Sequence, residues 1–321
     1  MKINNKTISA VIACYNDGEA IPIMHDRLTE TFVKIGCNYE IIFVNDGSPD
    51  NSEEILRKIC KNDKNTTAIL HTRNFSSQNA FTSGMIYAKG DAVVLLDGDL
   101  QDPPELIEKF VKKWLAGYDV VYGTRAKRET TRFLDFAYKK FYLLFDRLSY
   151  INVPLDAGDF SLMDRKVVDA INMLPETDRF IRGIRAWVGY KQIGVPYERP
   201  KRLFGESTNN LINNLRWAKK GIFSFSYIPL ELISYLAYFL VLLSAIASIF
   251  YILYYVLYPG SPKGITTIIV LVLLLGGIQL LSISVQSEYI GKILEETKQR
   301  PKYIIKEIIN DKYKDSNNKH M

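Results

Sequence analysis

The densest chemistry in the chain is the run Asp97-Gly98-Asp99-Leu100-Gln101-Asp102-Pro103-Pro104-Glu105. Two carboxylates flank a glycine directly after the apolar stretch Ala92 to Leu96. They can converge on a hard divalent cation, Mg²⁺ or Mn²⁺, whose other positions are filled by water and diphosphate oxygens. A cation held there neutralises a departing diphosphate. A second acidic turn, Asn45-Asp46-Gly47-Ser48, follows another apolar run. It is strong turn chemistry by itself, and it lies where a nucleoside base or ribose would sit.

Short β-branched runs that alternate with helical patterns position these residues. Ile8 to Ala13, Glu40 to Val44, Thr67 to His71, Ala92 to Leu96 and Asp119 to Tyr122 read as strands. Ala20 to Ile35, Ser52 to Lys61, Asn79 to Lys89 and Pro103 to Ala116 read as helices, the last with Asp102 as N-cap and Glu105 closing a capping box. Strand and helix in repetition predict an α/β domain with a parallel doubly wound sheet, which binds ligands beyond the carboxyl ends of its strands. Those ends carry Tyr15-Asn16-Asp17, Asn45 to Ser48, Arg73-Asn74, Asp97 to Asp99 and Gly123-Thr124-Arg125. No GxGxxG follows the first strand and no GxxxxGK[ST] occurs, which argues against a dinucleotide oxidoreductase or a P-loop enzyme.

The 321 residues carry 41 Lys and Arg against 35 Asp and Glu, a net charge of +6, and 47% are hydrophobic. That composition excludes a disordered or collagen-like chain. The 3 cysteines form no CxxC pair, so neither a disulfide framework nor a structural zinc site is expected. His25, His71 and His320 form no ligand cluster in sequence, and Cys14 reads as core. The start, Met1 to Lys6, lacks the apolar core of a signal peptide.

The mean hydropathy of −0.04 hides a greasy last third. Lys263 is the only charge between Glu231 and Glu288. Two segments, 232 to 255 and 265 to 285, are long enough to span a bilayer, with Tyr258 to Pro262 as the turn. Cations flank the pair on its outer sides, at Arg216, Lys219 and Lys220 and again at Lys292, Lys298, Arg300, Lys302 and Lys306. This predicts a two-helix transmembrane hairpin with both termini cytoplasmic. The expected division is a catalytic domain over 1–205, a juxtamembrane amphipathic segment over 206–230, the hairpin over 231–287 and a cytoplasmic tail over 288–321. Helically spaced apolar residues from Phe133 to Leu148, and again from Leu211 to Ile222, suit interfacial helices or ordinary core-packed ones.

Val44 to Ser48, Arg73-Asn74-Phe75, the Asp97 to Glu105 run and Gly158-Asp159-Phe160-Ser161-Leu162-Met163-Asp164-Arg165 together resemble one family. It is the inverting GT-A glycosyltransferases that charge polyprenyl phosphates, including dolichol-phosphate mannose synthases and, closer, bactoprenol glucosyltransferases. The resemblance continues through Arg179 to Gly183, Trp187 to Gly189, Tyr197 to Ser207 and Glu288 to Gly291, nearly the whole chain.

It implies a GT-A nucleotide-sugar-binding, Rossmann-like domain followed by interfacial helices and the membrane hairpin. It implies that Asp46, Asp97, Asp99 and Arg73 bind the nucleotide sugar, and that Asp97, Asp99 and Gln101 surround Mg²⁺ or Mn²⁺. Asp159 is the implied catalytic base, although a phosphate acceptor is already largely ionised at neutral pH, which leaves an orienting role open. Arg125, Arg132, Arg199 and Arg202 are the implied phosphate contacts. Where related chains carry a basic pair before Phe141-Tyr142, this chain has Leu134-Asp135.

The implied substrates are a UDP-sugar, with UDP-glucose first, and undecaprenyl phosphate; the implied partners are the inner (cell) membrane and further copies in a homo-oligomer, with no nucleic acid. A GDP-mannose transferase is the alternative donor reading. A processive polysaccharide synthase is disfavoured because QxxRW is absent, and a non-catalytic membrane adaptor because all four aspartates are present. Single residues keep plainer readings too: Asp46 as a turn former, Asp159 as a cap before a helix from Leu162 to Asn172.

Overall fold

A computed structural model describes residues 3–125, 157–200, 203–204, 226–257 and 264–310. Eight strands form one sheet: β1 (Ile3–Cys14), β2 (Cys37–Asn45), β3 (Thr66–His71), β4 (Ala92–Asp97), β5 (Val120–Arg125), β6 (Ala157–Asp164), β7 (Gln192–Tyr197) and β8 (Ile305–Ile309). Their order is β7-β5-β6-β4-β1-β2-β3-β8. Between them run the helices α1 (Ala20–Ile35), α2 (Ser52–Asn62), α3 (Ser77–Tyr87), α4 (Ile107–Leu115), α5 (Arg165–Met173) and α6 (Ile181–Trp187).

Central strands are buried on both faces, which is why the Ile8 to Cys14 part of β1 reads as a mostly apolar run. Ile8, Ala10 and Ile12 pack with Met24, Leu28 and Phe32 of α1 and Phe110 of α4. Val11 and Ala13 face the opposite layer, with Phe81 and Met85 of α3, Val168 of α5 and Ile184 of α6. Helix α1 ends at Gly36, whose left-handed φ of 73° lets its N–H close back on Phe32 O.

The expected all-parallel sheet is corrected to a mixed one. β6 runs antiparallel between β4 and β5, and β8 runs antiparallel along β3. Neither is reached by a short βα crossover, so neither shows in a strand-helix alternation. The expected helix from Leu162 is corrected as well: β6 runs to Asp164, whose side chain accepts from Lys166 N and caps α5. Asp102 does not cap α4. A 3-10 turn, Pro104–Leu106, precedes that helix, and Glu105 pairs with Arg27 at 2.8 and 2.7 Å instead of closing a capping box.

Beyond the sheet, α7 (Ile228–Leu257) and α8 (Ile265–Thr297) are long helices that touch each other. They contain both segments expected to span. Tyr238, Phe250, Leu280 and Ile290 are exposed, so apolar side chains look outward on both helices. Among the described residues, Ile228–Ala247 is long and apolar enough to cross a membrane, with a mean hydropathy of 2.0. The expected turn from Tyr258 to Pro262 and the two expected interfacial stretches lie outside the described residues.

The segment after α8 is not simply a tail. Glu296 near the end of α8 accepts from Thr177 N at 2.9 Å, and Lys302 donates to Leu174 O at 3.1 Å. The chain then enters the sheet as β8, with Arg57 bridging to Glu307.

Candidate active site

The carboxyl ends of β2 and β4, and the start of the antiparallel β6, supply the polar residues. Asp46 follows β2 and is buried. Its Oδ1 accepts from His71 Nδ1 at 2.8 Å and from Phe75 N at 2.9 Å. The described residues place no hydrogen bond on Oδ2, which is therefore the oxygen left for a ligand. The turn reading holds for its neighbour, since Asn45 Oδ1 accepts from Ser48 N at 2.9 Å. Gly47 has φ +68°, and a Cβ there would stand 2.5 Å from the backbone carbonyl carbon of Arg73. This close approach seats the turn against the loop after β3. The Arg73 guanidinium lies over the Phe75 ring at 4.0 Å and donates to Asn74 O.

Asp97 ends β4, and Asp99 lies two residues on. Arg199 Nη2 stands 3.7 Å from Oδ2 of each, so both oxygens face one point. The backbone just after Asp99 is strained, with Leu100 buried at φ +60°. Asp102 accepts from Tyr197 Oη at 2.7 Å and lies 4.0 Å from Arg199 Nε. Enclosure by protein, then repulsion from Asp102, Asp99 and Asp159, pushes the carboxyl of Asp97 well above the ordinary range, and Arg199 offsets this only in part. Its side chain keeps 34% of its surface open, so a cation has a way in. Two carboxylates facing one point fit a divalent ion that takes its other ligands from phosphate and water. Among the described residues no three His, Cys, Asp or Glu side chains form a ready-made cage.

Gln101 lies beside the acidic turn. Its Nε2 donates to Pro200 O at 3.1 Å, and its backbone N to Asp99 Oδ1. The side chain ties the segment bearing Arg199 to the acidic turn.

Asp159 lies within β6. Oδ1 accepts from Arg182 Nε and Oδ2 from Arg182 Nη2, each at 3.1 Å, and Gln78 Nε2 adds a third donor at 3.2 Å. Burial opposes ionisation, but the charge and hydrogen bonds of Arg182, with help from Arg185 and Gln78, hold its pKa below the ordinary value. Arg185 is fully buried. It lies over the Tyr122 ring at 5.0 Å and donates to Gly158 O at 3.3 Å. Burial lowers its pKa to about 10, with Asp159 pulling the other way. Arg125 ends β5 with its Nε buried and without a hydrogen bond among the described residues. Arg132 and Arg202 lie outside the described residues.

The structure thus brings Asp97, Asp99, Asp102 and Arg199 together, with Asp159 close enough to raise the pKa of Asp97. Sequence reasoning missed the working partners Arg182, Arg185, Gln78, His71 and Tyr197. The i, i+3 pair Arg182 and Arg185 on one short helix was the available signal, but nothing local connects it to an aspartate 23 residues away.

The family model described as glycosyl transferase family 2 matches residues 9–171. Over 302 residues the chain is 40% identical to a Synechocystis sp. protein described as uncharacterized glycosyltransferase sll0501, covering 94% of this chain and 95% of that one. Over 300 residues it is 38% identical to the bactoprenol glucosyl transferase of Shigella phage SfV, covering 93% and 98%. Among solved structures, glucosyl-3-phosphoglycerate synthase from Mycobacterium tuberculosis is 18% identical, with a TM-score of 0.47 over 68% of this chain and 79% of that one. With the family model matched from β1 into α5 and these relatives matched nearly end to end, the chain belongs to glycosyl transferase family 2 and is a glycosyltransferase.

Proposed function

We propose that this enzyme transfers one glucose from UDP-glucose to undecaprenyl phosphate, with inversion, at the cytoplasmic face of the cell membrane. The observation that carries the reading is the meeting of Asp97, Asp99 and Arg199 at one point, with Asp159 nearby and fixed by Arg182. The lipid acceptor is supported by the bactoprenol glucosyl transferase matched over 98% of its length and by the apolar helix Ile228–Ala247.

The reaction is one in-line displacement. A phosphate oxygen of the lipid forms the new bond to the anomeric carbon. The bond to the nucleoside diphosphate breaks on the opposite face, and its electron pair leaves with the diphosphate. Asp97 and Asp99 would hold Mg²⁺ or Mn²⁺, which when bound supplies positive charge against the leaving diphosphate. Arg199 adds a guanidinium suited to phosphate oxygens, and Arg125 is a further candidate.

Asp159 orients in this scheme and is not an obligatory base. Its three donors stabilise the carboxylate and weaken it as a proton acceptor, and an acceptor phosphate with second pKa near ~6 has little proton left to give. Asp46 Oδ2 accepts from the nucleobase.

The return of β8 to the sheet supports the hairpin topology. The strand that follows α8 and the strands that precede α7 share one sheet, so the chain crosses a bilayer an even number of times. Spans at 232–255 and 265–285 meet that condition, and the flanking cations assign the shared side to the cytoplasm.

The test uses purified full-length protein in detergent with undecaprenyl phosphate, Mg²⁺ or Mn²⁺ and a panel of UDP- and GDP-sugars, with mass spectrometry of the organic phase. The expected product is the lipid phosphate plus one hexose, formed from UDP-glucose and absent with Asp99→Asn. A product formed from GDP-mannose instead replaces the donor. No sugar-lipid from any donor, with nucleotide still bound, refutes the proposed transfer to undecaprenyl phosphate.

A further inference from the structure

A residue from beyond the membrane helices reaches the nucleoside end of the site. His71, the last residue of β3, is buried with both ring nitrogens engaged. Nδ1 lies 2.8 Å from Asp46 Oδ1 and Nε2 lies 2.9 Å from Ser83 Oγ. An ionised carboxylate only accepts, so Nδ1 carries the proton and donates to Asp46. The phenol of Tyr303 covers the face of this imidazole, with ring centroids 5.2 Å apart and planes within 8°. Phe75 meets the same ring edge-on at 5.8 Å, and its own N–H is the second donor to Asp46 Oδ1.

Backbone pairing puts Tyr303 there. Thr72 N donates to Ile304 O at 3.0 Å, and Ile305 pairs with His71 as β8 begins. Burial, with Tyr87 adding and Arg179 opposing, raises the Tyr303 hydroxyl to about 12, so the ring stacks as a neutral phenol.

We infer that Tyr303 is a positioning residue for nucleoside recognition: it fixes the His71 ring, which holds Asp46 Oδ1 so that Oδ2 meets a ring N–H of the base. The inference rests on the reading of Asp46 as the nucleoside contact. Its chemistry names a class of base. Uracil and guanine carry a ring N–H that a carboxylate oxygen accepts, whereas the corresponding ring nitrogens of cytosine and adenine carry no proton and leave the buried carboxylate unpaired. Rejection of an analogue that lacks the needed donor is the strong form of discrimination, and it depends on the carboxylate staying in place.

The experiment measures dissociation constants of UDP, GDP and CDP for the full chain in detergent, with thermal midpoints and steady-state kinetics alongside. The variants are Tyr303→Ala, Tyr303→Leu, Tyr303→Phe and Asp46→Asn. Wild type is expected to prefer UDP or GDP over CDP. Tyr303→Phe keeps that preference, because the ring remains. Tyr303→Ala and Tyr303→Leu weaken the preferred nucleotide about tenfold, roughly one charged hydrogen bond's worth. CDP changes little, the donor KM rises, and kcat at saturating donor stays within about twofold.

Tyr303→Leu fills similar volume without an aromatic face, so it reads the same comparison if the alanine variant does not fold. A folded Tyr303→Leu with wild-type preference overturns the inference, as does an equal loss for all three nucleotides. Asp46→Asn separates the two levels. If it leaves nucleotide preference unchanged, the reading of Asp46 fails; if it abolishes preference while Tyr303→Leu keeps it, only the role of Tyr303 fails.

Discussion

Arg182 grips Asp159 by both carboxylate oxygens, Nε on Oδ1 and Nη2 on Oδ2 at 3.1 Å each. The planar fork fixes the direction of the carboxylate as well as its charge. Gln78 braces the pair, because it donates to Asp159 and accepts from Ile181 N at 2.8 Å, the residue before Arg182. Arg182→Lys keeps a cation but loses the fork, and kcat is expected to fall on the order of 10- to 100-fold with a smaller change in donor KM. Steady-state kinetics with donor and lipid varied separately checks this.

The pH-rate profile of Asp159→Asn addresses the same pair from the other side. A carboxylate whose pKa is already depressed stays ionised across the working range, so wild type and variant should share one profile shape at different heights. Recovery of the variant's activity at high pH would show proton removal to be the missing function.

Crowding at Asp97 predicts a trade between stability and activity. The native carboxyl is raised above its unfolded value, so wild type loses stability as pH rises through the carboxylate range. Asp97→Asn relieves that repulsion. Its thermal midpoint at neutral pH, without divalent cation, should equal or exceed wild type, while transfer activity falls at least about 100-fold. Adding Mn²⁺ should raise the wild-type midpoint by mass action and leave Asp97→Asn unmoved.

Gly47→Ala should damage both the fold and the site. A Cβ there meets the Arg73 backbone at 2.5 and 2.6 Å and must adopt φ +68°. Together these cost roughly 1–3 kcal/mol or more. A lowered urea midpoint with unchanged slope, accompanied by weaker nucleotide binding, is the expected outcome.

Lys302 carries a pH signature of the junction between α8 and the sheet. Burial, then repulsion from Arg179, lowers its pKa from 10.5 to about 8. Between those values the unfolded chain holds more protons, so this group's contribution to stability climbs as pH rises through the window. In detergent, Lys302→Met should show a flatter dependence of thermal midpoint on pH from 8 to 10.5 than wild type.

What was legible in the sequence follows from locality. The boundaries of α1 were readable from an amphipathic period ending at a glycine, and the burial of β1, β3 and β4 from continuous apolar runs. Asp97 and Asp99 could be singled out because a strand end and a two-residue spacing suffice to aim them. Asp159 was placed by resemblance alone, and its local reading as a helix cap failed because β6 extends to Asp164. The hydrogen bond of Asp102 to Tyr197 spans 95 residues and defeated a sound local capping argument. β8 was invisible because its partner lies far back in the chain and five residues after a long helix show no period.

That separation also orders events in time. Thr67 of β3 and Asn310, just past β8, are 243 residues apart yet bonded. At a synthesis rate of about 5–20 residues per second, β3 waits on the order of 10–50 s for the strand that covers its edge. Until then the sheet presents an open row of N–H and C=O groups, and both α7 and α8 must leave the ribosome before it closes. Until β8 pairs with β3, His71 lacks the Tyr303 ring that stacks on it, so this side of the pocket around Asp46 is completed only at the final stage of synthesis.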